Sequence, residues 1–244
     1  MSEIQVTFFS VSNLLDKRNW IHFLSEVESV IDHRLSHLDS NDPIRKKIAD
    51  VKSAGNYICN FDNHESDRQL LGKFGNSQIE MSLSLYKDIS AFPNRVSFYF
   101  SEKWFQKNDS SAVLEVFNLG NKYLKPFYSY ADESKNISIK RKSTGMTVDL
   151  ETELLGVFWL TYFNQKYVEY FGKKKLDILE GLDISLCIDS GVTCRVGDLP
   201  TSAENVALRK VAENVLGVDT FVNPELGFDK PRGPQALTYD QLRS

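Results

Sequence analysis

The sequence predicts an α+β fold, and three observations predict it. Apolar and polar residues alternate in short runs, as in Ile79, Met81, Leu83 and Leu85 against Glu80, Ser82 and Ser84, which marks half-buried strands. Elsewhere the apolar spacing is three and four, as in Trp20, Leu24, Val27 and Ile31, which marks amphipathic helices. Turn residues join neighbouring strand-like runs into hairpins. Mixed or antiparallel sheets with helices packed on one face are therefore expected, with two similar strand-helix-strand halves as a further option.

The opening run Ile4 to Val11 is β-branched and aromatic on both faces, and predicts a strand buried on much of each. The helical stripe that follows extends in sequence to Leu35 and Leu38, and Asp42-Pro43 breaks it before a short helical turn at 44–51. Residues 52–78 are rich in Asn, Asp, Gly and Ser and read as irregular, with a strand near Tyr57. Residues 79–86 and 96–101 flank Phe92-Pro93-Asn94 as a hairpin. Val113, Val116, Phe117, Gly120, Tyr123 and Leu124 form a second helical stripe, closed by Pro126 before a strand at 127–131.

Residues 132–150 are polar and read as a loop or exposed hairpin. They are where an internal boundary would fall in what is expected to be one α+β domain over 1–244. Asn164 caps a short helix that Gly172 stops. The runs 182–189 and 192–196 flank Ser190-Gly191 as a second hairpin. Thr201 or Ser202 caps a helix whose apolar face is Val206, Val211, Val215 and Leu216, ending at Gly217. The proline-containing stretch 223–244 is expected to be an irregular tail.

Composition limits the function classes. Hydrophobic residues make up 41% and charged residues 25% of the 244, enough for a proper core. With 33 acidic and 29 basic residues the net charge is -4, which argues against broad adhesion to phosphate backbones and favours a basic protein partner. No apolar run approaches the roughly 20 residues of a membrane span, so a soluble, cytoplasmic protein is expected, without a membrane partner. Cys59, Cys187 and Cys194 form no CxxC pair and are expected as reduced thiols.

The chain carries none of the phosphate-loop, dinucleotide or nucleophile-elbow signatures, so no cofactor is expected. Lys142-Ser143-Thr144-Gly145 lacks the SxxK partner that would give a KTG element a mechanism. His33 and His37 stand at helical spacing for a shared metal, but the glutamate of HExxH is missing and a solvated polar face is the expectation. Asp132 and Glu133, and then Asp149, Glu151 and Glu153, form acidic clusters. If extended, the second group points to one side and suits a cation or a basic protein surface. The aromatic stretch Gly156–Leu176 interleaves Trp159, Tyr162, Tyr167, Tyr170 and Phe171 with lysines. Its helical spacing marks core, against a protein interface or a base-stacking surface.

From Leu154 to Val222 the sequence resembles the C-terminal half of bacterial immunity proteins of polymorphic-toxin and type VI secretion systems, especially the immunity protein 52-like group. The resemblance lies on Trp159, Tyr162, Tyr167, Val168, Gly172, Leu176, Gly191, Gly197, Asp198, Pro200 and Leu216-Gly217. Asp189-Ser190-Gly191 departs from the paired glycine common at that hairpin. The resemblance implies a non-enzymatic inhibitor that binds a cognate protein toxin and covers its active site. Charge clustering, and not the family motif, then nominates Asp132, Glu133, Asp149, Glu151 and Glu153 as the partner-binding residues. An enzyme using carboxylates such as Glu151 or Glu153, and a nucleic-acid-associated defence protein using Lys140 to Lys142, are the competing classes.

Overall fold

The computed structural model describes residues 3–60, 66–75, 78–88, 92–142, 149–180, 182, 184–188, 191–200, 203–226 and 235–244. The fold is α+β, with two compact units: Glu3–Pro126 and Phe127–Ser244.

In the first unit, strands β1 (Ile4–Ser10), β2 (Leu35–Asp39), β3 (Asp67–Phe74), β4 (Ile79–Tyr86) and β5 (Asn94–Phe100) pair antiparallel in the order β2-β3-β4-β5-β1. Register places Val6 opposite Phe98 and Thr7 opposite Ser97, so alternate residues sort onto two faces. The apolar face packs under helices α1 (Lys17–Ile31) and α4 (Ser110–Leu124). Phe23 of α1 meets Phe98 edge-on at 6.0 Å, and Phe117 of α4 meets Phe8 at 6.0 Å. On the other face, Thr7 and Ser97 share a hydrogen bond of 3.0 Å, and Ser84 donates to Gln69. Helix α2 (Val51–Cys59) and the short α3 (Glu102–Phe105) complete the unit.

Helix α1 is shorter than its apolar stripe. Asp32 adopts the left-handed conformation (φ 52) and ends it, so Leu35 and Leu38 are strand residues on β2. His33 and His37 therefore do not share a helical face, because the second lies in a strand. Of residues 52–78, expected as irregular with a strand near Tyr57, 52–59 belong to α2 and 67–74 form β3 instead. Asp50 caps α2 by accepting from Ser53 N at 2.7 Å. The expected helical turn at 44–51 does not form: residues 44–50 are outside any helix, Lys47 makes a single-residue bridge with His37, and Val51 opens α2.

The second unit contains β6 (Tyr128–Glu133), α5 (Ser134–Lys142), β7 (Leu160–Asn164), α6 (Gln165–Phe171), α7 (Lys173–Glu180), β8 (Ile184–Ile188), β9 (Gly191–Val196), α8 (Ala203–Gly217) and α9 (Tyr239–Arg243). The strands pair antiparallel in the order β6-β7-β9-β8. Of the stretch 132–150, expected as a loop or exposed hairpin, residues 132–142 instead finish a buried strand and build α5. Residues 143–148, with the Ser143-Thr144-Gly145 element, lie outside the described residues, as do the Ser190 turn position and the caps expected at Thr201 and Ser202.

The aromatic stretch is core. Phe163, Tyr167, Phe171 and Phe221 form one cluster with centroids 5.1 to 6.4 Å apart, while Tyr170 keeps an exposed edge. As expected, Asn164 caps α6, accepting from Tyr167 N, and Gly172 follows its last residue. The tail is ordered at 235–244. Thr238 and Gln241 close a capping box on α9, Tyr239 and Leu242 are buried, and Tyr170 donates to Gln235 O at 2.7 Å.

Gly120 lets α4 lie against β1, because a Cβ at that position would stand 2.1 Å from Phe8 Cζ. Gly120→Ala is expected to lower stability by about 1–3 kcal/mol, and Phe8→Leu in the same chain to recover part of that loss; urea unfolding of the wild type and the two variants checks it.

Cys59 and Cys194 are free thiols. Burial, with Asp16 adding to it, pushes the Cys59 thiol up to about 11 from an ordinary 9.0. The folded state thus holds this proton longer than the unfolded state, and its contribution to stability declines as pH rises from 9.0 toward about 11. At pH 8, iodoacetamide should alkylate Cys59 roughly 100-fold more slowly than in the urea-unfolded chain, and Asp16→Asn should accelerate the folded-state reaction; peptide mass spectrometry reads both rates.

Candidate functional site

Between Leu154 and Trp159 the chain runs through the interior of the second unit without belonging to a helix or a continuous strand, and every residue in it is buried. Such backbone needs partners for its N–H and C=O groups. Leu154 finds them in main chain, donating to Thr220 O and accepting from Val222 N. Trp159 O accepts from Val196 N, and the N–H groups from Gly156 to Trp159 are met by side chains. Tyr128 Oη donates to Gly156 O at 2.5 Å and accepts from Gly156 N at 3.1 Å. Val157 N donates to Glu213 Oε1 at 2.9 Å, Phe158 N to Thr161 Oγ1 at 2.8 Å, and Trp159 N to Asp132 Oδ2 at 2.9 Å.

Two of these acceptors are carboxylates, and a buried carboxylate needs a cation. Asp132, fully buried, receives Arg209 Nη1 at 2.7 Å, together with Glu133 N and Asn136 Nδ2. Burial pushes its carboxyl up, and Arg209 and the three other donors oppose that. Burial likewise pushes Arg209 down, against the pull of Asp132. Desolvation leads in both partners, so the pair is held at a cost. Lys140 Nζ meets Glu213 at 2.8 Å and donates to Val222 O at 3.0 Å, tying α5 to α8 and to the chain beyond it. Gly156 is the contact point: a Cβ there would stand 2.8 Å from Glu213 Oε1.

These partners invert α8. Asn205, Arg209, Ala212, Glu213 and Leu216 are its buried stripe, while Val206 and Val211, expected in the core, face outward. Asn205 donates to Leu199 O at 2.7 Å, and Arg209 Nη2 to Pro200 O at 3.1 Å. Beside the helix is a cavity of about 260 Å³. Its walls are Asn136, Ile139 and Lys140 of α5, Val157 and Phe158, and Val206, Arg209, Lys210, Glu213 and Asn214 of α8. Val218 and the stretch Val222–Glu225 close it. Ile139, Val206 and Val218 are 61%, 57% and 45% exposed at its mouth. Lys210 and Glu225 pair across its edge at 3.3 Å.

In fold, the chain is similar to the Pseudomonas aeruginosa T6SS protein PA0821, with a TM-score of 0.63 over 99% of this chain and 81% of that one. The two are 14% identical. The likeness is one of fold. No protein-family model matches the chain, and no curated protein gives a significant sequence match.

The nominated acidic residues are not brought together as one surface. Asp132 and Glu133 are buried in β6, where Glu133 meets Lys135 at 2.6 Å. Asp149, Glu151 and Glu153 lie in and beside a turn, not an extended run: Asp149 O accepts from Thr152 N and Glu153 N. Glu151 Oε1 accepts from Tyr239 N at 2.7 Å, fixing the start of α9. The basic run is also engaged, since Lys140 holds Glu213 and Arg141 donates to Tyr130 Oη at 2.8 Å. Among the described residues no three His, Cys, Asp or Glu side chains group as metal ligands, and no helix is long and apolar enough to cross a membrane. Arg209 and Glu213 escape sequence reading because valines one helical step away look like the core face. The available signal is their own spacing of four, in register with Asn205.

Removing one partner of the buried pair leaves the other charge uncompensated. Asp132→Ala and Arg209→Met are each expected to cost about 3–5 kcal/mol, and the double variant clearly less than their sum. A double-mutant cycle by urea unfolding measures the coupling.

Proposed function

We propose that this protein is an immunity protein of a type VI secretion system, which binds a cognate protein toxin in the cytoplasm and covers its active site. It works by occupying a surface and not by catalysis. The observation that carries this reading is the fold likeness to a T6SS protein over 99% of the chain. The resemblance of residues 154–222 to immunity proteins supports it independently. So does the inverted helix, since exposed valines above a rigid polar base are what a binding surface needs and what a solvated helix avoids.

Co-expression with the product of the adjacent reading frame tests the proposal. Growth restored to cells carrying a toxic neighbour, with the two chains co-purifying, is the expected result. A toxic neighbour left unrestrained, or a neighbour with no toxicity, would overturn it.

A further inference from the structure

We infer that the cavity formed by the first turn of α1, the 46–49 segment and α2 binds a di- or triphosphate group, with room for the molecule that carries it. The site lies within the first unit and does not depend on the function proposed above.

The walls come from three short pieces of chain that local bonds hold in place. Lys17 opens α1, directly after the Asp16 cap. Lys46 O accepts from Leu38 N and Ile48 N donates to Ser36 O, both at 2.9 Å, so residues 46–48 run along β2 as a fixed edge. Helix α2 lies close to the start of α1, where a Cβ on Gly55 would stand 3.3 Å from Lys17 O. Together they enclose a cavity of about 730 Å³, lined by Lys17, Lys46, Lys47, Asn56, Tyr57 and Cys59 among others. That volume lies inside the roughly 300–1,000 Å³ of small-molecule sites and is more than one phosphate ion fills.

Charge then selects the occupant. Among the described residues, three lysines and no carboxylate line the cavity, and none of the three lysines forms an ion pair. The neighbouring acids are committed to backbone: Asp16 accepts from Arg18 N, Asp39 from Arg45 N and Lys46 N, and Asp50 from Ser53 N. A concave cluster of one sign draws counter-ions toward it. Lys46 Nζ stands 3.3 Å from the centroid of the Tyr57 ring, and the Arg68 guanidinium approaches the same ring at 5.1 Å. The ring is thus spent on cations, so recognition falls on an anionic group and not on a stacked base. Lysine ammoniums are point charges with three rotatable donors each, which suits the many oxygens of linked phosphates.

Cys59 reports occupancy from within the cavity. Burial and Asp16 push its thiol up while Lys17 pulls it down, so an anion held by Lys17 would cover the sulfur and cancel that pull. The test titrates the full chain with sodium tripolyphosphate, ATP, orthophosphate and a hexaglutamate peptide, read by calorimetry and by the iodoacetamide rate at Cys59. Tripolyphosphate and ATP are expected to bind saturably, to weaken with added salt, and to slow alkylation of Cys59 by about fivefold or more. Lys17→Glu and Lys47→Glu, both at exposed positions, should each weaken the two ligands about tenfold without lowering Tm, with Cys59 protection measured against each variant's own unliganded rate.

Lys174→Glu, the same charge change on α7, should leave binding as it is. Either ranking of ATP against tripolyphosphate supports the inference, and the difference between them says whether the carried group is touched. No saturable binding, equal weakening by Lys174→Glu, orthophosphate as tight as tripolyphosphate, or the acidic peptide tighter than both polyphosphates would overturn it.

Discussion

The second unit depends on one constraint: the backbone of Leu154–Trp159 is buried, and its polar groups cannot be left without partners. A helix or sheet would have satisfied them by repetition. Here the chain turns irregularly toward β7, and the N–H groups of Gly156, Val157, Phe158 and Trp159 are met by four different side chains, from β6, α8 and β7. Tyr128 and Thr161 do this as neutral groups. Asp132 and Glu213 do it as carboxylates, and their charges draw Arg209 and Lys140 inward. One stretch of fewer than ten residues thereby sets the orientation of β6, α5 and α8.

Desolvation makes such pairs weak contributors to stability, so their presence is better understood as a fixing of geometry. Lys140 is the clearest case. It joins α5 to α8 through Glu213 and to the following chain through Val222 O. With the polar stripe of α8 committed to these contacts, its valines have nowhere to go but outward. Exposed apolar groups here are a consequence of buried polar ones.

Whereas β2 was read as helix and β3 as irregular chain, strands with strict alternation, such as Ile79 to Leu85, were legible because that pattern survives whatever packs on it. The same holds for helices with a single apolar face and clear ends, as at 113–124 and 164–171. Legibility failed where a competing interaction overrode the local pattern. The stripe beginning at Trp20 runs past Asp32 without a break in apolar spacing, and only the left-handed conformation of Asp32 separates helix from strand. Residues 134–142 look solvated because they are polar, yet Asn136 and Lys140 are spent on buried carboxylates. Acidic residues at 132–133 look like a docking loop for the same reason. Nothing local distinguishes a carboxylate awaiting a partner protein from one serving a backbone 27 residues away.

The polar belt under α8 also bears on how this chain can change over generations. Positions 132 and 209 hold each other, as do 140 and 213, and a single substitution at any of the four must pass through a state with a lone buried charge. Val206, Val211 and Ile139 carry no such obligation, since their side chains face outward. Descendants of this sequence can therefore exchange the outward residues one at a time while the belt beneath stays still, so that the exposed surface drifts quickly over a scaffold that hardly drifts at all.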